Sequence, residues 1–142
     1  MATVSQLLAA KPGEVYSIDP DEPVLAAIQM MADKSVGALL VMKDGRLSGI
    51  VSERDYARKV ILHGRSSAET PVWQIMTSPV VTVSTSDLIT HCMHLMTDRK
   101  FRHLPVVDNG KVIGMLSIGD LLKQAIADLE IENQKLQQYI AG

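Results

Sequence analysis

The chain has 142 residues, about one ordinary domain, and its 14 Lys plus Arg against 16 Asp plus Glu leave a net charge of −2. That balance argues against affinity for nucleic acid through phosphate neutralisation, and Cys92, the single cysteine, excludes an intramolecular disulfide and a thiolate zinc cage. The opening MATVSQLLAAK lacks the basic start and apolar length of a signal peptide, and no apolar run reaches the roughly 18–20 residues of a membrane span. The expectation is a cytoplasmic protein without a membrane partner.

In chain order the same elements are met twice. At a shift of 65, residues 15–61 lie on 80–126 without a gap, and 10 of those 47 pairs are identical, Gly49/Gly114, Ser52/Ser117 and Asp55/Asp120 among them. A leading scrap, Val4 to Leu8, recurs as Val72 to Met76 at a shift of 68, so the first linker is three residues longer. Each copy opens on a β-branched run, Val15 to Ile18 or Val80 to Val83. Asp21 or Ser86 follows as the predicted cap of a helix. Apolar residues at helical spacing come next: Val24, Leu25, Ile28, Met31 and Ala32 in the first copy, Leu88, Ile89, Cys92, Met93 and Met96 in the second. Ala38 to Met42 and Leu47 to Val51 flank Asp44-Gly45, and Leu104 to Val107 and Val112 to Leu116 flank Asn109-Gly110, so each copy carries a hairpin with a two-residue turn. A second helix starts after Ser52 or Ser117. It stops near His63-Gly64 in the first copy and runs on in the second.

The unit is β-α-β-β-α, and the fold class is α+β: two pseudo-symmetric repeats packed sheet to sheet, with a C-terminal helix. Their expected extents are 1–66 and 67–127, with a helical extension over 128–142. A half of about 60 residues is marginal alone, which is the reason to expect the copies to pair. In the extension Leu122, Ile126, Leu129, Asn133, Leu136 and Ile140 alternate spacings of four and three, the seam of a short coiled coil with one polar position, and a homodimer is expected. The plainer reading is a helix whose first half packs on its own domain and whose remainder is solvated.

The sharpest recurring motif is Gly-h-h-Ser-x-x-Asp, at 49–55 and 114–120. Taken singly it is a helix cap with an acid three residues on, worth about 1 kcal/mol. Taken as a pair it offers two acids that can each accept bonds from the vicinal hydroxyls of a ribose, while the Ser and the helix-start N–H groups face an anion.

The duplicated unit, the Arg102-His103-Leu104-Pro105-Val106-Val107-Asp108 segment and the twin motifs resemble the paired CBS domains (cystathionine β-synthase domains) of the Bateman module. Ser52-Glu53-Arg54-Asp55-Tyr56 and Ile118-Gly119-Asp120-Leu121 resemble stand-alone bacterial members of that family. The resemblance implies a non-enzymatic signal-transduction module that binds adenine nucleotides, AMP, ADP or ATP, with NAD(H) or S-adenosylmethionine in some members. It implies two clefts between the repeats. One holds Ser117 and Asp120 with Tyr16, Val36, Gly37 and Ala38; the other holds Ser52 and Asp55 with Val81, Phe101, Arg102 and His103. Arg102 and His103 would meet phosphates, where the first copy has only Gly37 and Ala38. Arg54 stands between a phosphate contact and an exposed ion pair, and Lys11 reads as a solvated lysine in preference to a phosphate ligand.

Catalytic signals are missing from the sequence. His91 and His94 fall at or beyond the edge of the apolar stripe and read as solvated, and Cys92 reads as a small core residue. There is no Gly-x-x-x-x-Gly-Lys-Ser/Thr loop and no Gly-x-Gly-x-x-Gly, and the few aromatics are too scattered for base stacking. No catalytic cofactor and no metal are expected. The first reading is therefore an adenine-nucleotide sensor with an unidentified regulated partner. The alternatives are a ligand-free adaptor dimer working through its C-terminal helix and, last, a metal protein using His91, His94 or His103.

Overall fold

The computed structural model describes residues 2–11 and 15–141. The elements run α1 (Val4–Ala10), β1 (Ser17–Ile18), α2 (Val24–Lys34), β2 (Ala38–Lys43), β3 (Arg46–Ser52) and α3 (Glu53–Tyr56), which passes into a π-helical turn (Ala57–Ile61). A 3₁₀ turn (Val72–Gln74), α4 (Ile89–Arg99), β4 (His103–Asp108), β5 (Lys111–Ser117) and α5 (Ile118–Ala141) complete the chain. Two compact units divide it: Glu14–Val81, and Met1–Gly13 together with Thr82–Gly142.

In the first unit β1 runs parallel to β2, and β2 antiparallel to β3. Ala38 to Val41 are all buried, so that strand is apolar throughout instead of alternating. Asp44 and Gly45 both take positive φ, 51° and 77°, as the tight turn between right-twisted strands requires. Helix α2 buries Val24, Ala27 and Met31; Leu25 is 40% exposed and Ala32 is exposed, so the apolar stripe is rotated from the one expected.

Neither Asp21 nor Ser86 caps its helix. The N-caps are Pro23 and Leu88, which make no side-chain cap bond. Backbone carbonyls of a passing segment do the work: Val24 N–H donates to Thr70 O (2.8 Å) and Leu25 N–H to Ser67 O (2.9 Å), while Ile89 N–H donates to Ala2 O (3.0 Å). A helix start met in this way has fewer orphan donors left for a side chain to satisfy. Asp21 instead pairs with Lys43, and Ser86 Oγ lies 3.0 Å from Ser84 Oγ.

Those passing segments lead into the repeated scrap, and each copy of the scrap sits in the unit built on the other repeat. Val72 and Ile75 belong to the core of the first unit, with Ile18, Val24, Met31, Leu39 and Val51. Val4 and Leu7 are buried in the second unit, whose buried apolar residues include Ile89, Cys92, Met96, Leu104, Leu116 and Leu121. The seats are equivalent. Val72 N–H donates to Glu22 O (2.9 Å) and Trp73 N–H to Pro20 O (3.1 Å), as Val4 N–H donates to Asp87 O (2.9 Å) and Ser5 N–H to Thr85 O (3.0 Å). The motif glycines belong to the same contact. A Cβ on Gly49 would stand 2.6 Å from Met76 Sδ and 2.9 Å from Thr77 O, and one on Gly114 would stand 2.8 Å from Leu8 Cδ2.

The second unit has a two-stranded sheet, β4 antiparallel to β5, turned by Asn109 and Gly110 at positive φ. The strand expected at Val80 to Val83 is reduced to a bridge between Val83 and Val106. Its cause is Pro105. In the first unit Leu40 N–H donates to Tyr16 O (3.1 Å). Pro105 stands where Leu40 does and has no N–H to give to the leading strand.

Candidate functional site

Strand β3 ends at Ser52 and strand β5 at Ser117, and a helix begins at once, so the motif side chains project from a strand-to-helix junction in both units. In the first unit the Ser and Asp are bonded reciprocally. Asp55 Oδ2 accepts from Ser52 N–H (3.0 Å) and lies 3.0 Å from the hydroxyl, while Asp55 N–H donates to Ser52 Oγ (3.1 Å). In the second, Asp120 Oδ2 accepts from Ser117 N–H (2.8 Å) and Asp120 N–H donates to Ser117 Oγ (3.2 Å). The cap anticipated for a single motif is thus present in both.

The first helical N–H is occupied as well. Glu53 N–H donates to Gly37 O (3.1 Å) and Ile118 N–H to Arg102 O (2.8 Å). Two of the amides expected to face an anion are therefore satisfied inside each unit. Within each unit the hairpin register sets Ala38 opposite Ser52 and His103 opposite Ser117, whereas the sets implied by the resemblance join Ala38 to Ser117 and His103 to Ser52. Tyr16, Val36, Gly37, Ala38, Ser52, Arg54, Asp55 and Val81 fall in the first unit; Phe101, Arg102, His103, Ser117 and Asp120 fall in the second.

Two residues the sequence reading did not place in the site complete it. Lys11, read as solvated, donates from Nζ to Asp120 Oδ2 at 2.6 Å and to Met115 O at 2.9 Å. Lys59 approaches Asp55 Oδ1 at 3.2 Å and donates to Ile75 O at 2.9 Å. The Asp-to-Lys spacing of four residues on one helix was the legible signal for Lys59. Lys11 carried none, because it arrives from the far end of the chain.

The electrostatics of the second unit follow from that arrival. Burial pushes the Asp120 carboxyl up, but the bonds from Lys11 and Ser117 prevail and hold it below its ordinary value of 3.8. Burial, and then the positive charge of Lys11, keep the His103 imidazole below its ordinary 6.5; Asp120 opposes them and Arg102 reinforces them. His103 is accordingly neutral at pH 7. Lys11 and Arg102 thus supply the positive charge felt at the neutral His103, and Lys11 is the cation that touches the Asp120 carboxylate. In the first unit Lys34 lies over the ring of Tyr16, 5.3 Å from its centroid.

Outside the site, His91 and His94 are exposed and Cys92 is buried. Burial, helped by Asp87, pushes the Cys92 thiol up to about 11, which leaves it unreactive at neutral pH. Among the described residues no group of three or more His, Cys, Asp or Glu side chains could hold a metal ion, and no helix is long and apolar enough to cross a membrane.

The model of the CBS domain matches residues 4–62 and 72–127. A solved putative signal-transduction protein with CBS domains from Burkholderia ambifaria MC40-6 is 51% identical, with a TM-score of 0.86 over 89% of this chain and 96% of that one. The CBS domain-containing protein CBSX3, mitochondrial, of Arabidopsis thaliana is 42% identical over 127 residues, 86% of this chain; the match spans 62% of the plant protein. The CBS domain pair of protein MJ0100, solved in complex with 5′-methylthioadenosine and S-adenosyl-L-methionine, is 19% identical and shares the fold, with a TM-score of 0.78.

Proposed function

The chain belongs to the CBS domain family, a non-catalytic regulatory family, and on that premise we propose that it is a signal-transduction module that binds an adenine nucleotide through the Ser-x-x-Asp motif of each unit. The nucleotide is AMP, ADP or ATP, with NAD(H) as a further candidate. Asp55 and Asp120 take the ribose hydroxyls. Ser52, Ser117 and Arg54 face phosphate oxygens, Arg102 and His103 hold the phosphates that carry most charge, and Tyr16, Val36, Gly37, Ala38, Val81 and Phe101 line the base. The module works as a cytoplasmic homodimer on a protein partner.

The observation that supports this reading most is the state of Asp120. The bonds from Lys11 and from Ser117 N–H both fall on its Oδ2. A carboxylate has about four lone-pair sites on two oxygens. Oδ1 is therefore left for a hydroxyl, with the positive charges of Lys11 and Arg102 close by to suit an anionic tail. The fold supports the reading at its own level, since the MJ0100 pair was solved with adenosyl compounds.

The test is thermal unfolding with AMP, ADP, ATP, NADH, S-adenosylmethionine and GTP. At about 100-fold excess over Kd a ligand adds about 2.7 kcal/mol, an upward shift of roughly 5–10 °C for a chain of this size. The adenine compounds should produce it and GTP should not. Asp55→Ala with Asp120→Ala should abolish it, and an undiminished shift in that double variant refutes these sites. The second reading, a ligand-free adaptor, is favoured by one observation, the exposed apolar face of α5; it requires that no nucleotide shift the wild type.

A further inference from the structure

Helix α5 is 24 residues long, and of these only Leu121 is buried; every residue from Leu129 to Ala141 is exposed. Five of its exposed apolar side chains form an ordered set, with Ile118, Ile131 and Tyr139 outside it. Leu122 is 48% exposed, Ile126 56%, Leu129 64%, Leu136 56% and Ile140 82%. With Asn133 they fill alternate core positions of consecutive heptads: Ile126, Asn133 and Ile140 stand at one, Leu122, Leu129 and Leu136 at the other. A solvated helix gains nothing from that order.

We propose that this face is covered by the same face of a second copy, in a parallel, in-register, two-stranded coil that sets Asn133 against Asn133 of the second copy. Three features of the sequence select this occupant and orientation. β-Branched Ile at the first core position with Leu at the other favours two strands over three or four. In register, the two Asn133 side chains can bond each other, whereas an antiparallel pair sets each Asn133 amide against Leu129 of the other chain and leaves it unsatisfied in an apolar layer. Charge agrees. The antiparallel arrangement places Glu130 across from Glu130 and Glu132 across from Glu132, and like charges on the flanks of a coil oppose pairing. The parallel one sets Glu132 beside Gln137 and Glu130 beside Ala125, with no like pair.

The experiment is light scattering on the full chain, with cross-linking to read orientation. The wild type should run as a dimer. Leu129→Glu with Leu136→Glu should raise its dissociation constant by about 100-fold or more, and the two units should stay folded because these side chains pack on neither of them. Leu136→Cys should give a dimer band on oxidation, which wild type, with its one buried thiol, does not give. Asn133→Leu should tighten association while admitting species larger than a dimer. A monomeric wild type at every concentration overturns the proposal, as does a dimer unchanged in the Glu variant. So does a Leu136→Cys chain that cross-links only when mixed with Ile126→Cys, the antiparallel signature. None of these readouts involves a nucleotide, so this proposal and the nucleotide reading fail separately.

Discussion

The two units hold the same carboxylate in the same cap and neutralise it from different directions. Lys59 reaches Asp55 from four residues along the same helix, whereas Lys11 reaches Asp120 from the other end of the chain. The requirement therefore belongs to the junction and not to one segment. An acid held at a strand-to-helix junction is given a cation, and whichever segment passes within reach supplies it. The consequences are unequal, because the first unit's ion pair is a local property of one helix and the second unit's depends on a segment roughly a hundred residues away along the chain. Lys11 also alters the titration of His103, for which the first unit has only Ala38 at the equivalent place.

The largest expected contrast lies at the motif glycines. Gly49→Ala must push against a backbone carbonyl, Thr77 O, as well as Met76, so a loss of about 1–3 kcal/mol is expected. Gly114→Ala meets only the tip of Leu8, which can turn aside, and should cost less than half as much. Urea denaturation of both variants checks this, and equal losses would break the asymmetry.

Acid provides the next contrast. Because the folded Asp120 titrates below 3.8, its stabilisation is complete above that value and is lost as the pH falls through the lower, folded one. Between about pH 5 and 2 the urea midpoint of wild type should therefore fall more steeply than that of Asp120→Asn. Parallel curves would mean that the Lys11 bond adds nothing in solution. The smallest effect sharpens the picture furthest: Lys11→Met removes one of the cations that depress His103, so its NMR titration should move upward, while Lys59→Met should leave it in place. A His103 midpoint that ignores Lys11 would show that the charge of Lys11 does not reach the imidazole.

Much of the fold could be read from residue pattern because it rests on local rules. Asp44-Gly45 and Asn109-Gly110 specified their turns, and the motif Ser and Asp specified their caps. What stayed illegible was set by segments distant in sequence. Asp21 and Ser86 looked like helix caps because nothing local shows that the Thr70, Ser67 and Ala2 carbonyls will occupy the helix starts. The Val80 to Val83 strand failed at Pro105, a residue visible in the sequence whose missing N–H matters only once its neighbour is known. Of the site, Ser52, Asp55, Ser117 and Asp120 were legible from their recurrence. Lys11 was not, since charge on a linker reads as solvation until the linker has been given a destination.

The crossing of the leading segments has a consequence for the duplication itself. A polypeptide ending at residue 66 would carry α1 with no seat for Val4 and Leu7, and an α2 without the carbonyls of Ser67 and Thr70. The complementary piece would lack Ala2 beneath α4 in its turn. Neither fragment could mature by itself, but mixed in equal amounts the two should reconstitute by mutual rescue. Each half of the duplication carries a segment that completes the other half's unit, so neither can be removed without unravelling both.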